Sequence, residues 1–182
     1  PGELLIDSIF NAGIVIFVEN KLDYASKLLP NEEIKQILSV KRSTKPFPLG
    51  ISEICDSESD ADITIISYGG ATSFAIEAQQ SLFLEEEVSA KVISPSLITN
   101  LDIVELMQEI GSSHSIIIAE EGIADFGWGE HVATLLRESG FKGNIRRIGA
   151  QNKIIGASEQ SESDVLLTTQ KIKEAVYDLL RD

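Results

Sequence analysis

The groups that could do chemistry are few. The chain holds one cysteine, Cys55, and two histidines, His114 and His131. A structural zinc site takes four Cys or His ligands, so these three cannot build one. Cys55 has no base near it in sequence and reads as structural. His114 has no evident partner. His131 falls in the first turn of an expected helix, where the helix dipole disfavours imidazolium and would leave a neutral acid–base group. No nucleophile or carboxylate set surrounds it, so the reading is a surface histidine. Asp125-Phe126-Gly127 spells a kinase motif without the glycine-rich loop or His-Arg-Asp that give it meaning. The acidic run Asp56 to Asp62 lacks the glycine and terminal Glu spacing of a calcium loop and reads as a solvated turn.

Two segments hold more promise. Glu120-Glu121 follows the apolar run Ile116-Ile117-Ile118-Ala119. In open α/β sheets ligands gather at the carboxyl ends of strands, so this pair is expected on a rim facing a partner or an active-site entrance. Gly127-Trp128-Gly129 opens the next expected helix, whose first N–H groups attract anions. The Lys-Ser/Thr ending of a phosphate loop is missing, and no Gly-x-Gly-x-x-Gly occurs. Trp128 reads either as an interface anchor or as a buried core aromatic.

The elements that must position these residues follow from periodicity. Glu3 to Asn11 reads as a short one-faced helix ended at Ala12-Gly13, and Ile14 to Val18 as a strand buried on both faces. Lys21 to Leu29 is a loop or partial helix. Residues 30–49 read as a linker, with a helical part around Glu32 to Leu38. Gly50 to Cys55 and Ile63 to Ser67 are strands expected to pair as an antiparallel hairpin. Tyr68-Gly69-Gly70 is a turn, and Thr72 or Ser73 is expected to cap the following helix. Strands at Ala90 to Ser94, Ile116 to Ala119 and Asn144 to Ile148 alternate with helices at Asp102 to Ile110 and Glu130 to Ser139. A final helix is expected to be capped by Asp164. This alternation predicts an α/β fold: a three-layer α/β/α sandwich with a mainly parallel sheet and one antiparallel edge strand.

Charge narrows the partners. With 29 acidic against 15 basic residues the formal net charge is −14, which repels nucleic acid and anionic membranes. No apolar run approaches the roughly 18 residues of a membrane span. The start, Pro1-Gly2-Glu3, has no signal-peptide pattern and reads as a chain cut inside a longer protein. A lone cysteine fits a reducing, cytoplasmic setting.

The order of motifs resembles the carboxy-terminal part of the beta subunit of thiamine-diphosphate-dependent 2-oxoacid dehydrogenases, of pyruvate or branched-chain type. Val15-Ile-Phe-Val-Glu-Asn20 resembles the strand closing the pyrimidine-binding domain. Asp62 to Gly69, Val92 to Ile98, Ile118 to Gly122 and Gly127-Trp128-Gly129 resemble successive strands and loops of the transketolase C-terminal domain. The resemblance implies three parts: residues 1–29 as the tail of the pyrimidine-binding domain, 30–49 as linker and 50–182 as the transketolase C-terminal-like domain. It implies thiamine diphosphate and magnesium in the intact enzyme and none on this chain, whose role would be assembly. The expected partners are an alpha subunit, a second beta subunit and a dihydrolipoyl acyltransferase core. It further implies a potassium-binding turn at Ser8, Ile9 and Asn11, with Asn11 where the family has Asp. Glu120, Glu121, Trp128, Glu130 and His131 are the expected interface positions; by the resemblance His131 stands where the family has Glu. Two alternatives stay open: a transketolase or deoxyxylulose-phosphate synthase relative, and a stand-alone module holding an anion at Gly69-Gly70 or at Gly127 to Gly129.

Overall fold

The computed structural model describes residues 2–11, 13–21, 36–55 and 60–181. All but Lys21 of the loop expected at Lys21 to Leu29, most of the helical stretch at Glu32 to Leu38, and the acidic turn at 56–59 lie outside these residues.

Six strands form one sheet in the order β1-β2-β4-β3-β5-β6. They are β1 (Leu38–Arg42), β2 (Leu49–Ile54), β3 (Ile63–Ser67), β4 (Ala90–Pro95), β5 (Ser115–Ile123) and β6 (Asn144–Ala150). β4, β3, β5 and β6 run parallel. β2 is antiparallel to both β1 and β4. The expected α/β class is therefore present, with the antiparallel part confined to one edge.

The helices are α1 (Gly2–Phe10), α2 (Ala71–Glu86), α3 (Ile103–Ile110), α4 (Trp128–Glu138), α5 (Glu159–Val165) and α6 (Thr169–Arg181). Strand alternation sends side chains to two faces, and each face has its own core. Ile63, Ile65, Ile117 and Ala119 meet Ala75, Leu82, Ile172 and Val176 from α2 and α6. Ile66, Ile116 and Ile118 meet Leu106, Ile110, Val132 and Leu136 from α3 and α4. All five residues of β3 are buried, as an unbroken apolar run predicts for a central parallel strand.

Several expectations are corrected. β2 does not pair with β3: its neighbours are β1 and β4, because short sequence separation does not outweigh the chance to bury β3 between two parallel strands. Leu38–Arg42, read as linker, is an edge strand; its polar sequence hides it, and only Leu38 is buried. Glu53 fastens this edge, lying 2.8 Å from Lys41 on β1 and 3.0 Å from Lys91 on β4. Gln79, wholly buried on α2, locks β2 to β4. It accepts from Ser52 Oγ at 2.8 Å and donates to the carbonyls of Ser52 (2.9 Å) and Ala90 (2.8 Å).

Ile14 to Val18 forms no strand; Ile14, Ile16 and Val18 are 100, 85 and 81 % exposed. A strand buried on both faces needs neighbours, and the described residues supply none. The last segment is two helices rather than one. Thr168, not Asp164, caps the final one, accepting from Lys171 N–H at 3.3 Å, and Ser158 caps the one before it, accepting from Ser161 N–H at 3.2 Å. Lys171 closes its other end by donating to the carbonyls of Ser163, Asp164 and Leu166 at 2.6–2.9 Å.

Candidate functional site

From β3 the chain goes to β4 on one side and then crosses to β5 on the other, so the topological switch point lies at the carboxyl end of β3. In open α/β sheets this is where ligands bind. Tyr68-Gly69-Gly70 and Glu120-Glu121 meet there, with the N-termini of α2 and α4 above them.

Both glutamates turn toward a helix start, on opposite faces. Ile116, Ile118 and Glu120 share one face of β5, and Ile117, Ala119 and Glu121 the other. Glu120 is 1 % exposed. Its carboxylate accepts from the N–H groups of Trp128 (2.8 Å) and Gly129 (3.0 Å). It thereby satisfies two of the N–H groups that a helix start leaves unpaired and sits at the positive end of the dipole. The glycines make room for it: a Cβ on Gly129 would come within 2.9 Å of Glu120 Oε1, and one on Gly127 would collide with both carboxylate oxygens. Glu121 is exposed and accepts from Gly70 N–H at 3.3 Å. α2 accordingly has no cap from its own sequence; Thr72, expected to cap it, bonds Ser94 Oγ at 3.0 Å instead.

Trp128 is half-buried. Its ring meets Tyr68 edge-on, with centroids 4.7 Å apart at 67°, and its Nε1 donates to Ile98 O at 2.9 Å. The Trp thus ties the loop after β4 to the start of α4. Burial, followed by the nearby charges of Glu120 and Glu121, pushes the Tyr68 hydroxyl above its ordinary pKa, so the ring stays neutral.

The remaining expected site residues are dispersed. Glu130 is exposed, 3.9 Å from Arg147. His131 is exposed on α4. At the expected potassium turn, Ser8 Oγ donates to Leu4 O at 2.7 Å and Asn11 Oδ1 accepts from Gly13 N–H at 3.0 Å, while Ile9 is exposed. Ala12, part of that turn, is not among the described residues. No group of three His, Cys, Asp or Glu among the described residues is placed to hold a metal ion. No described helix is long and apolar enough to cross a membrane.

Phe126 drew notice in the sequence only as the middle of a motif without its context. It is 96 % exposed and has φ +60°, in the loop between β5 and α4. Sequence reasoning read Glu120 as a rim residue, although the shared face of Ile116, Ile118 and Glu120 points it inward.

Residues 55–172 match the family model described as the transketolase, C-terminal domain. The chain belongs to that family. It is 25 % identical over 177 residues to the mitochondrial pyruvate dehydrogenase E1 component subunit beta of Dictyostelium discoideum, covering 94 % of this chain and 47 % of that protein. It is 29 % identical over 126 residues to 1-deoxy-D-xylulose-5-phosphate synthase 1 of Geobacter sulfurreducens, covering 69 % of this chain and 19 % of the synthase. Among solved structures it resembles a split gene transketolase, described as an inactive β4 tetramer, with a TM-score of 0.59 and 25 % identity. That match covers 68 % of this chain and 40 % of the other. The chain therefore spans about half the length of the pyruvate dehydrogenase relative and about a fifth of the synthase.

Proposed function

We propose that this chain is the carboxy-terminal assembly domain of the beta subunit of a 2-oxoacid dehydrogenase, one that decarboxylates a 2-oxoacid and passes the acyl group to lipoyl-lysine. In this reading residues 1–29 are the tail of a pyrimidine-binding domain, the stretch around 30–49 leads out of it, and the sheet domain serves association. The partners are an alpha-type subunit, a second beta subunit and an acyltransferase core, in the cytoplasm.

One observation carries the assembly role. The two helix starts at the switch point, where a doubly wound fold would take a diphosphate, are filled by the chain's own Glu120 and Glu121. The buried carboxylate of Glu120 and the exposed one of Glu121 both repel a diphosphate, so these residues do not fit thiamine diphosphate, nor the anion of a stand-alone module. The cofactor and its magnesium belong to other parts of the intact enzyme. Similarity to the Dictyostelium subunit over 94 % of the chain, well outside residues 55–172, supports the beta-subunit assignment.

The test is to assay the full-length protein together with its alpha-type subunit for 2-oxoacid-dependent acylation of a lipoyl domain, and to titrate the protein alone with thiamine diphosphate by calorimetry. Activity of the pair and no micromolar binding by the lone protein are expected. Micromolar binding to the lone chain would overturn the reading. The matches to deoxyxylulose-phosphate synthases favour a second reading, in which the same domain assists synthesis of 1-deoxy-D-xylulose 5-phosphate. Formation of that product, without lipoyl acylation, would select it.

A further inference from the structure

The loop from β1 to β2 and the loop after β4 enclose a cleft of about 210 Å³. Both loops are held in place. Ser96 Oγ donates to Pro48 O at 2.5 Å and joins one to the other. Leu49 N–H donates to Ser43 Oγ at 3.1 Å, and Phe47 N–H donates to the Asp7 carboxylate on α1 at 3.2 Å. The second loop is tied at Ile98 O to Trp128 Nε1. The walls of the cleft are mainly apolar, made by Phe47, Leu49, Pro95, Leu97 and Leu101. Its polar end is the start of α3, where Lys45, Asp102 and Glu105 meet.

The two carboxylates at that end are unequally served. Asp102, with its side chain 43 % exposed, uses both oxygens: Oδ1 accepts from Glu105 N–H at 3.0 Å and Oδ2 from Lys45 Nζ at 2.6 Å. The Glu105 side chain is only 10 % exposed, and its one ionic neighbour among the described residues is Lys45 Nζ at 3.7 Å, beyond a normal hydrogen-bond length. A buried carboxylate without a close donor is costly, so this one is set to receive a donor from outside the chain. Two carboxylates against one ammonium leave the lining with a net charge of −1, which selects a cation over an anion. The apolar walls favour an organic cation over a metal ion, and no group of three His, Cys, Asp or Glu among the described residues could hold a metal. The cleft is smaller than the roughly 300–1,000 Å³ of drug-sized sites, so the molecule is small. We propose that this cleft binds a small aliphatic primary ammonium, with Glu105 accepting from the ammonium and the stem lying against Phe47, Leu97 and Leu101. Lys45 stays on Asp102 at the mouth and competes with the ligand for Glu105. The site does not depend on the subunit reading above.

The test is protein-observed NMR titration of the full-length protein with n-butylammonium, 1-butanol and ammonium, for wild type, E105Q, K45M and E138Q. n-Butylammonium should bind saturably with a Kd of about 1 mM. 1-Butanol keeps the stem without the charge, and ammonium keeps the charge without the stem; each should bind at least about tenfold more weakly. E105Q should lose about tenfold or more in affinity for n-butylammonium without a lower melting temperature. K45M should gain a few fold, because Glu105 loses its competing cation. Glu138 is exposed at the end of α4 and does not line the cleft, so E138Q should bind as wild type. No saturable binding of n-butylammonium, equal binding of 1-butanol, unchanged binding in folded E105Q, or an equal loss in E138Q overturns the site. Unchanged or weaker binding in K45M also overturns it, and this exposed-lysine variant decides the question where E105Q fails to fold.

Discussion

Replacing Glu120 by Gln tests whether the switch point is held by an internal carboxylate. The substitution keeps the shape and removes the charge. Glu120 now accepts two charge-assisted bonds, from Trp128 and Gly129, at 1 % exposure. An amide can accept one of them through its oxygen, at neutral strength, and must turn its NH2 toward the other N–H. The net loss is one charged bond, a weakened second bond, one N–H left unsatisfied in a buried place, and the favourable placement of a negative charge at the start of α4. Taken together at typical values this is about 3 kcal/mol. For a domain of this length that lowers the melting temperature by about 6–12 °C. Trp128 is the only tryptophan, and it donates one of the bonds in question, so urea unfolding followed by its fluorescence reads both stability and local structure. Glu121→Gln is the internal comparison. That residue is exposed with a single bond of 3.3 Å, and its loss should stay within about 0.5 kcal/mol. Equal effects of the two substitutions, or a change below about 0.5 kcal/mol for Glu120→Gln, would refute the capping argument.

Further expectations follow from single sites. Thr64 Oγ1 is buried without a hydrogen-bond partner, so Thr64→Val should be neutral or stabilise by up to about 1 kcal/mol in denaturant titration. Gln79→Leu strands Ser52 Oγ and two carbonyls and should cost about 2–4 kcal/mol, with hydrogen exchange of β2 rising most. Lys171→Met uncovers three carbonyls at the end of α5 and should cost about 1–2 kcal/mol, seen as a lower urea midpoint. At Glu53, burial pushes the carboxyl up, but the hydrogen bonds and charges of Lys41 and Lys91 together hold it below its ordinary value of 4.5. Its contribution is therefore complete above that value and lost as pH falls through it toward the lower folded value. Glu53→Gln should flatten the acid limb of the stability–pH curve there and leave the slope above pH 6 unchanged.

The parts of the fold that sequence revealed are those where one face or both faces of an element are buried. Ile63 to Ser67, Ala90 to Ser94 and Ile116 to Ala119 are apolar runs, and all three are strands at the heart of the sheet. Pairing was hidden because it is set at long range: nothing local in Leu49–Ile54 says that its neighbour is β4 rather than β3. β1 was hidden because four of its five residues face solvent. Ile14 to Val18 misled for the opposite reason, since its composition states a need for neighbours that the described residues do not meet. At the site, the position of Glu120-Glu121 was legible but the direction of each side chain was not used. Thr72 and Ser73 misled as caps of α2 because the carboxylate that meets its start comes from a strand 51 residues away.

The two glutamates and Phe126 belong to one device. β5 ends by sending one carboxylate into each helix start, which closes the place where this fold would otherwise accept an anion. The bonds of Glu120 fix Trp128 and Gly129, two and three residues after Phe126, and so brace the loop in which Phe126 stands exposed at positive φ. Filling the start of α4 and bracing the loop that carries Phe126 are then two effects of one residue, Glu120. It follows that Glu120→Gln should loosen this loop beyond what its global stability loss predicts: native-state hydrogen exchange of the amides at 125–129 should rise more than that of the sheet, because the freed loop can relax Phe126 to negative φ. Glu121→Gln, which loses only the bond to Gly70, should leave that exchange unchanged. If at full folding Glu120→Gln exchanges these amides as wild type does, the clamp does not brace the loop, and Phe126 owes its conformation to its own loop.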